Sequence, residues 1–173
     1  MPRLFLSVLL FFGWAAAPAL AQTHQPTPEP ETVRNRSFQV KYDVPAHWRV
    51  THQRTDSVEV LRYHNPDDDA LLWVGQLRGR HAGLQPKQAL QRLLRHLGAA
   101  RHEEHNVSAH GLDFLESTGT CFLGGREFRY DARVAQYRGH ALLVYVYATP
   151  AAFTTQVPVL HRVLDSLTPL RNK

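Results

Sequence analysis

Ala141-Leu142-Leu143-Val144-Tyr145-Val146-Tyr147-Ala148 decides the fold, because eight residues run without a charge, an amide or a break in apolar character. A strand with one wet face alternates apolar and polar residues, whereas a strand covered on both faces reads as a continuous apolar run rich in branched and aromatic side chains. The octapeptide is of the second kind, so it marks the central strand of a sheet that needs a covering layer on each side.

Working outward, Arg138-Gly139 supplies a glycine-bearing hairpin turn before this strand, and residues 127–137 form its neighbour. There Phe128, Tyr130, Ala132 and Val134 alternate with Arg129, Asp131 and Arg133, the period of a half-exposed strand. Gly124-Gly125 makes a second such turn, to a strand over residues 112–122. In the first half, Phe38, Val40, Tyr42 and Val44 alternate with polar residues and stop at Pro45; strands follow at 48–53, 57–64 and 70–77, the last two divided by the loop-forming Asn65-Pro66-Asp67-Asp68-Asp69. Two helices complete the pattern. Pro86 opens the first, with Ala89, Leu90, Leu93, Leu94 and Leu97 on one face and Gly98 as its stop. Thr149-Pro150 opens the second, with Phe153, Val157, Leu160, Val163, Leu164 and Leu167 spaced to cover a sheet. Pro158 either kinks this second helix or divides a short turn ending near Thr155 from a main helix that starts at Val157.

The ends of the chain are of another composition. Arg3, an apolar stretch over residues 4–17 and Ala19-Leu20-Ala21 read as an export signal over residues 1–21, cleaved before Gln22. The stretch is short for a spanning helix, so no stable membrane span is expected after cleavage, and no cysteine stands at the cleavage point to carry a lipid. Residues 22–36, with Pro26, Pro28 and Pro30, have the composition of a solvated linker. A single domain is expected over 37–168 and a tail over 169–173. The location implied is periplasmic or secreted.

Charge narrows the partners. The whole chain of 173 residues carries a formal +5, and the leader removes one of those charges. Between Asp69 and Glu103 there is no acid, while Arg78, Arg80, Lys87, Arg92, Arg95 and Arg101 stand in that window. Outside the cytoplasm a basic surface of this kind points to a protein or an anionic envelope component and away from nucleic acid. Arg78, Arg80, Lys87, Arg92 and Arg95 are the candidate partner-binding residues.

Catalytic and metal chemistry find little support. His102-Glu103-Glu104-His105 is the densest polar group, but on a strand its two histidines point to opposite faces, so no local zinc site is expected. Cys121 has no second cysteine and sits beside Phe122 and Leu123, which favours burial; a nucleophilic pairing with His140 lacks an orienting acid. Asp67-Asp68-Asp69 lacks the spaced ligands of a calcium loop. The expectation is no catalytic residue, no metal, no cofactor and no enzyme. The functional expectation is an exported non-catalytic module docking through its basic surface. The alternative is a carrier of a small apolar ligand held between sheet and helix, motivated by Phe114, Phe122, Phe128, Tyr130, Tyr145 and Tyr147.

Three segments carry a family resemblance: Phe38-Gln-Val-Lys-Tyr-Asp-Val-Pro-Ala-His-Trp48, Tyr137-Arg-Gly-His-Ala-Leu-Leu-Val-Tyr-Val-Tyr-Ala-Thr-Pro150 and Val163-Leu-Asp-Ser-Leu167. Their order and wording resemble the PsbP-like superfamily, which includes an extrinsic photosystem subunit, a Ran-binding nuclear import factor and many exported bacterial proteins. The resemblance spans nearly the whole expected domain. It implies an α+β fold, an antiparallel β-sheet of about six to seven strands sandwiched by helices, used for binding partners more than for catalysis. Its motifs are packing and turn patterns, and none transfers a site residue.

Overall fold

The computed structural model of the chain describes residues 29–171. The expected leader, residues 22–28 of the linker and the last two residues of the tail lie outside the described residues. The elements run β1 (Glu31–Asn35), β2 (Val40–Val44), β3 (Arg49–Arg54), β4 (Val58–His64), β5 (Ala70–Leu77), α1 (Pro86–Leu97), β6 (Ala99–Ala109), β7 (Leu112–Leu123), β8 (Arg126–Tyr137), β9 (His140–Ala148), α2 (Pro150–Ser166) and β10 (Thr168–Pro169), with a 3-10 turn at Gly79–His81 ahead of α1. The class is α+β, built from antiparallel sheets and two helices.

The large sheet has the order β3-β4-β5-β9-β8-β7-β6, so β9 is its middle strand, flanked by β5 and β8. Side-chain alternation then divides β9 between two cores. Leu142, Val144, Val146 and Ala148 join Val40 and Tyr42 of β2 and Phe153, Leu160, Val163 and Leu164 of α2. Ala141, Leu143 and Tyr145 join Ala89, Leu90, Leu93, Leu94 and Leu97 of α1. Each fully buried aliphatic side chain contributes roughly 1.5–3 kcal/mol, so the octapeptide is stabilised by burial on both of its faces.

Strands β6 to β9 are joined by three two-residue turns, His110-Gly111, Gly124-Gly125 and Arg138-Gly139, and in each turn both residues have positive φ. That is the backbone of a type I′ turn, whose twist matches paired strands, and glycine adopts it without a Cβ penalty. The first of these hairpins brings in β6, an eleven-residue strand absent from the expected set. Conversely, the expected first strand lies outside the large sheet. It is β2, the centre of a three-stranded sheet with β1 and β10.

The same small sheet takes in residues on both sides of the expected domain limits. Glu31–Asn35, assigned by composition to the linker over 22–36, pairs along β2 from Glu31 opposite Val44 to Asn35 opposite Val40. Thr168 and Pro169 pair with Lys41 and Val40 from the other side, so the element order extends past residue 168. β1 is mostly exposed, and its backbone pairing rather than apolar burial holds it, which leaves no alternation for a sequence reading to find. α2 is one unbroken helix of 17 residues that carries Pro158 within it. Among the described residues no helix is long and apolar enough to cross a membrane.

Candidate functional site

α1 presents its leucines to the sheet and its charges outward. Pro86 occupies the first turn, and Gly98 closes the helix at φ 62° with its N–H on the carbonyls of Leu94 and Arg95. Lys87, Arg92 and Arg95 are exposed on the outer side, and Arg80 is exposed in the turn ahead of it. Arg80 Nε donates to His81 Nε2 at 3.2 Å, and Arg95 Nε to the Gln91 carbonyl at 3.4 Å. Among the described residues none of Arg80, Lys87, Arg92 or Arg95 forms an ion pair. Burial first, and then the charges of Arg92 and Arg80, hold the His81 imidazole below its usual range, as expected where positive groups converge without a counter-ion.

Arg78 stands apart from these four. Its guanidinium donates to Glu59 Oε2 at 2.6 Å, half-buried beside the edge of β4, and Glu59 also faces Arg54 and His52. The structure gives Arg78 an internal partner, so it braces β4 against the chain leaving β5.

Beside Arg92 lies an apolar cavity of about 210 Å³ at the edge of α1, whose lining includes Val58, Trp73, Leu77, Leu93, Leu143 and Tyr145, with His81 and His96 also among its walls; Lys87 and Arg95 lie toward β6 on the other flank of the helix. The reason for the space is topological. α1 packs chiefly on β6, β7 and β8, so its Arg92–His96 flank meets β4 and β5 across the cavity. Arg62, Trp73, Tyr145 and Tyr147 build a continuous stack there: Arg62 Cζ lies 4.1 Å from the Trp73 ring, Trp73 and Tyr145 stack at 5.2 Å, and Tyr145 and Tyr147 at 6.4 Å. Gly75 lines the cavity between them, where a Cβ would come within 2.8 Å of the Glu59 carbonyl oxygen.

A second constellation lies on the face of the sheet that carries α2. Alternation along β8 is as expected, but Asp131 and Arg133 are not exposed: they retain 2% and 7% of their surface, because α2 covers that side. Arg133 donates from Nε to Glu116 Oε1 at 2.6 Å and from its terminal nitrogen to Asp165 Oδ1 at 2.7 Å. His161 Nε2 approaches Asp131 Oδ2 at 3.3 Å, and His105 Nε2 approaches Glu116 Oε2 at 3.8 Å. Burial first and then the neighbouring Glu116 push the Asp131 carboxyl up to about 7, against the pull of Arg133. Asp131 Oδ1 has no hydrogen-bond partner. The group borders a groove of about 950 Å³ between α2 and strands β6 to β8.

The sequence reading missed this cluster by treating each charge on its own strand. Counting back equally from the Gly124-Gly125 turn puts Glu116 opposite Arg133 and Thr118 opposite Asp131, so the pairing was available from hairpin register. The other polar candidates resolve simply. β6 is an edge strand, where His105 turns toward Glu116 while His102 lies 3.6 Å from Glu104. Among the described residues no three His, Cys, Asp or Glu gather as metal ligands. Cys121 is fully buried, its thiol pushed up to about 11 by burial; it sits opposite Phe128, whereas His140 pairs with Tyr137 at the other end of β8. Asp68 binds Arg49 and His64, and Asn65 ties down the same loop through Asp69 and Ala70.

The sequence matches no family model and no curated protein. Solved structures match it by shape. Cyanobacterial PsbP (CyanoP) from Synechocystis sp. PCC 6803 superposes with a TM-score of 0.60 at 11% identity, covering 91% of this chain and 98% of that one. LpqN, involved in cell envelope biogenesis of Mycobacterium tuberculosis, gives 0.53 at 14%, covering 81% and 90%. PA94 from Pseudomonas aeruginosa, a protein of unknown function, gives 0.50 at 15%, covering 83% and 99%. At these identities the likeness is one of fold, and the fold is PsbP-like.

Proposed function

We propose that this PsbP-like chain is an exported, non-catalytic binding module that holds an anionic envelope component against the outer face of α1. In this reading the large sheet is sandwiched, α1 on one face and α2 on the other, and α1 is the recognition element. The observation that carries the proposal is the conjunction of Arg80, Lys87, Arg92 and Arg95, none with an acidic partner among the described residues, and an apolar cavity walled by Arg92, His81 and His96. An anionic lipid matches both halves: its head group meets the cations and its first methylenes enter beneath the helix. Each basic residue near an anionic surface contributes about 1 kcal/mol, so a few spread over the outer surface of α1 suffice for reversible binding and not for permanent attachment. Arg78, expected in this set, is left out by its pairing with Glu59. Export is inferred from the leader, and the cell-envelope role of LpqN agrees with it.

The test is sedimentation of residues 22–173 with phosphatidylglycerol vesicles. Wild type is expected to co-sediment at low salt and to release as the Debye length shrinks toward 8 Å at physiological ionic strength (about 0.15 M). Arg92→Glu with Arg95→Glu is expected to stay folded and remain in the supernatant, and undiminished sedimentation of that variant would remove the proposal. A second reading, carriage of a small apolar ligand, rests on the cavity alone; native mass spectrometry of protein taken from its own compartment would show the bound mass, and a bare protein mass ends that reading.

A further inference from the structure

The groove between α2 and strands β6 to β8 is unlike the α1 face in sign and in chemistry. Its acids are Glu103, Glu127 and Asp131, against the single arginine Arg129, in a chain whose net charge is +5. Glu103 and Glu127 make no ion pair among the described residues, and the Arg129 guanidinium is turned over the Phe153 ring at 4.9 Å. The floor contains a carboxylate with 2% of its surface exposed and one oxygen without a partner. Leaving a buried acceptor unsatisfied costs roughly 1–3 kcal/mol, more when it is charged, so such an oxygen at the wall of a groove calls for a donor.

The donor's chemistry follows from register. Glu103 pairs with Thr118, and Thr118 with Asp131, so the three lie in one row across β6, β7 and β8 and on one face. Strands about 4.8 Å apart put the outer two roughly 10 Å from each other at the backbone, with a threonine hydroxyl between. Phe153 and Val157 of α2 supply apolar wall to the groove, and Phe122, 52% exposed, lies four residues along β7 from Thr118, opposite Glu127. His161 covers the Asp131 end; its ring is half exposed and, among the described residues, Asp131 is its ion-pair partner. His161 is held on Oδ2, so Oδ1 is the oxygen of this groove-lining residue left without a partner.

We propose that this groove binds a short alkyl diamine, one ammonium donating to Asp131 as His161 swings aside, the other meeting Glu103, with the methylenes crossing Thr118 beside the α2 wall of Phe153 and Val157. The site is separate from the α1 face and stands or falls without it. Glu116, Arg133, Asp165 and His105 surround Asp131 but are engaged with one another, so they hold the site without contacting the ligand.

The experiment is an amide-shift titration of residues 22–173 with cadaverine, pentylamine and 1,5-pentanediol. Cadaverine is expected to give saturable shifts at Thr118, Asp131 and His161, pentylamine to bind several-fold more weakly, and the diol to give none. Asp131→Asn is expected to weaken cadaverine about tenfold or more, since it removes a charge-assisted bond. Glu103→Gln, an exposed change that leaves the fold alone, is expected to bring cadaverine down to the pentylamine level. Absence of saturable shifts in wild type, equal response to the diol, or undiminished binding by both variants would each overturn the proposal.

Discussion

Asp131 is the residue whose surroundings most depart from what its side chain prefers. In water an aspartate ionises near 3.9; burial and the adjacent Glu116 carry it to about 7 in the fold. The folded chain therefore keeps a proton that the unfolded chain has released between those two values, so stability falls as pH rises through that window and levels off above 7. The shift of about three units corresponds to at most about 4 kcal/mol. Asp131→Asn removes the titration, so its denaturant midpoint, measured against wild type from pH 4 to pH 8, is expected to gain on wild type with rising pH and then run parallel. A difference that stays constant across the range would show that Asp131 does not titrate there. This residue was not legible as a site because alternation along β8 tells which face a side chain takes and not what covers that face. Arg78 fails in the opposite direction: its charge was plain, and only the tertiary pairing of β4 with β5 brings Glu59 beside it.

At the level of elements, the helix α1 and the strands β5, β8 and β9 were readable almost to the residue, because in each of them side-chain period and turn chemistry agree. Pro86 and Gly98 bracket α1, and Gly124-Gly125 and Arg138-Gly139 bracket β8. β6 was hidden by its polarity. As an edge strand it is exposed along most of its length and so carries no apolar alternation, although His110-Gly111 is the same turn signal as the other two. β1 and β10 were hidden for a related reason, being held by backbone bonds to β2. α2 presents the remaining ambiguity. Pro158 has no N–H for the Thr154 carbonyl, yet the helix continues because Leu160, Val163 and Leu164 beyond it are buried in the same core as Ala152 and Phe153 before it. Packing thus outweighs a local defect of about 3 kcal/mol. Pro158→Ala, an exposed position, is expected to restore that bond and raise the unfolding free energy by about 1–3 kcal/mol in urea titration; no gain would mean that the helix does not strain around the proline.

For the whole molecule, one consequence follows from the order of the sheet. α1 packs chiefly on β6, β7 and β8, so the same placement that buries its leucines leaves an apolar space between its Arg92 flank and strands β4 and β5, with Trp73 and Tyr145 in the wall. The PsbP-like fold supplies the frame, and Arg80, Lys87, Arg92 and Arg95, without an ion pair among the described residues, mark the outer surface of α1 and the turn before it. The measurement that bears most directly on recognition by that side is an amide-shift map of residues 22–173 titrated with short-chain phosphatidylglycerol, followed in parallel at the Trp73 indole. The account predicts saturable shifts confined to Arg80, His81, Lys87, Arg92, Arg95, His96 and Trp73, abolished by Arg92→Glu with Arg95→Glu. Shifts scattered over the surface, or absent from α1 and Trp73, would contradict it.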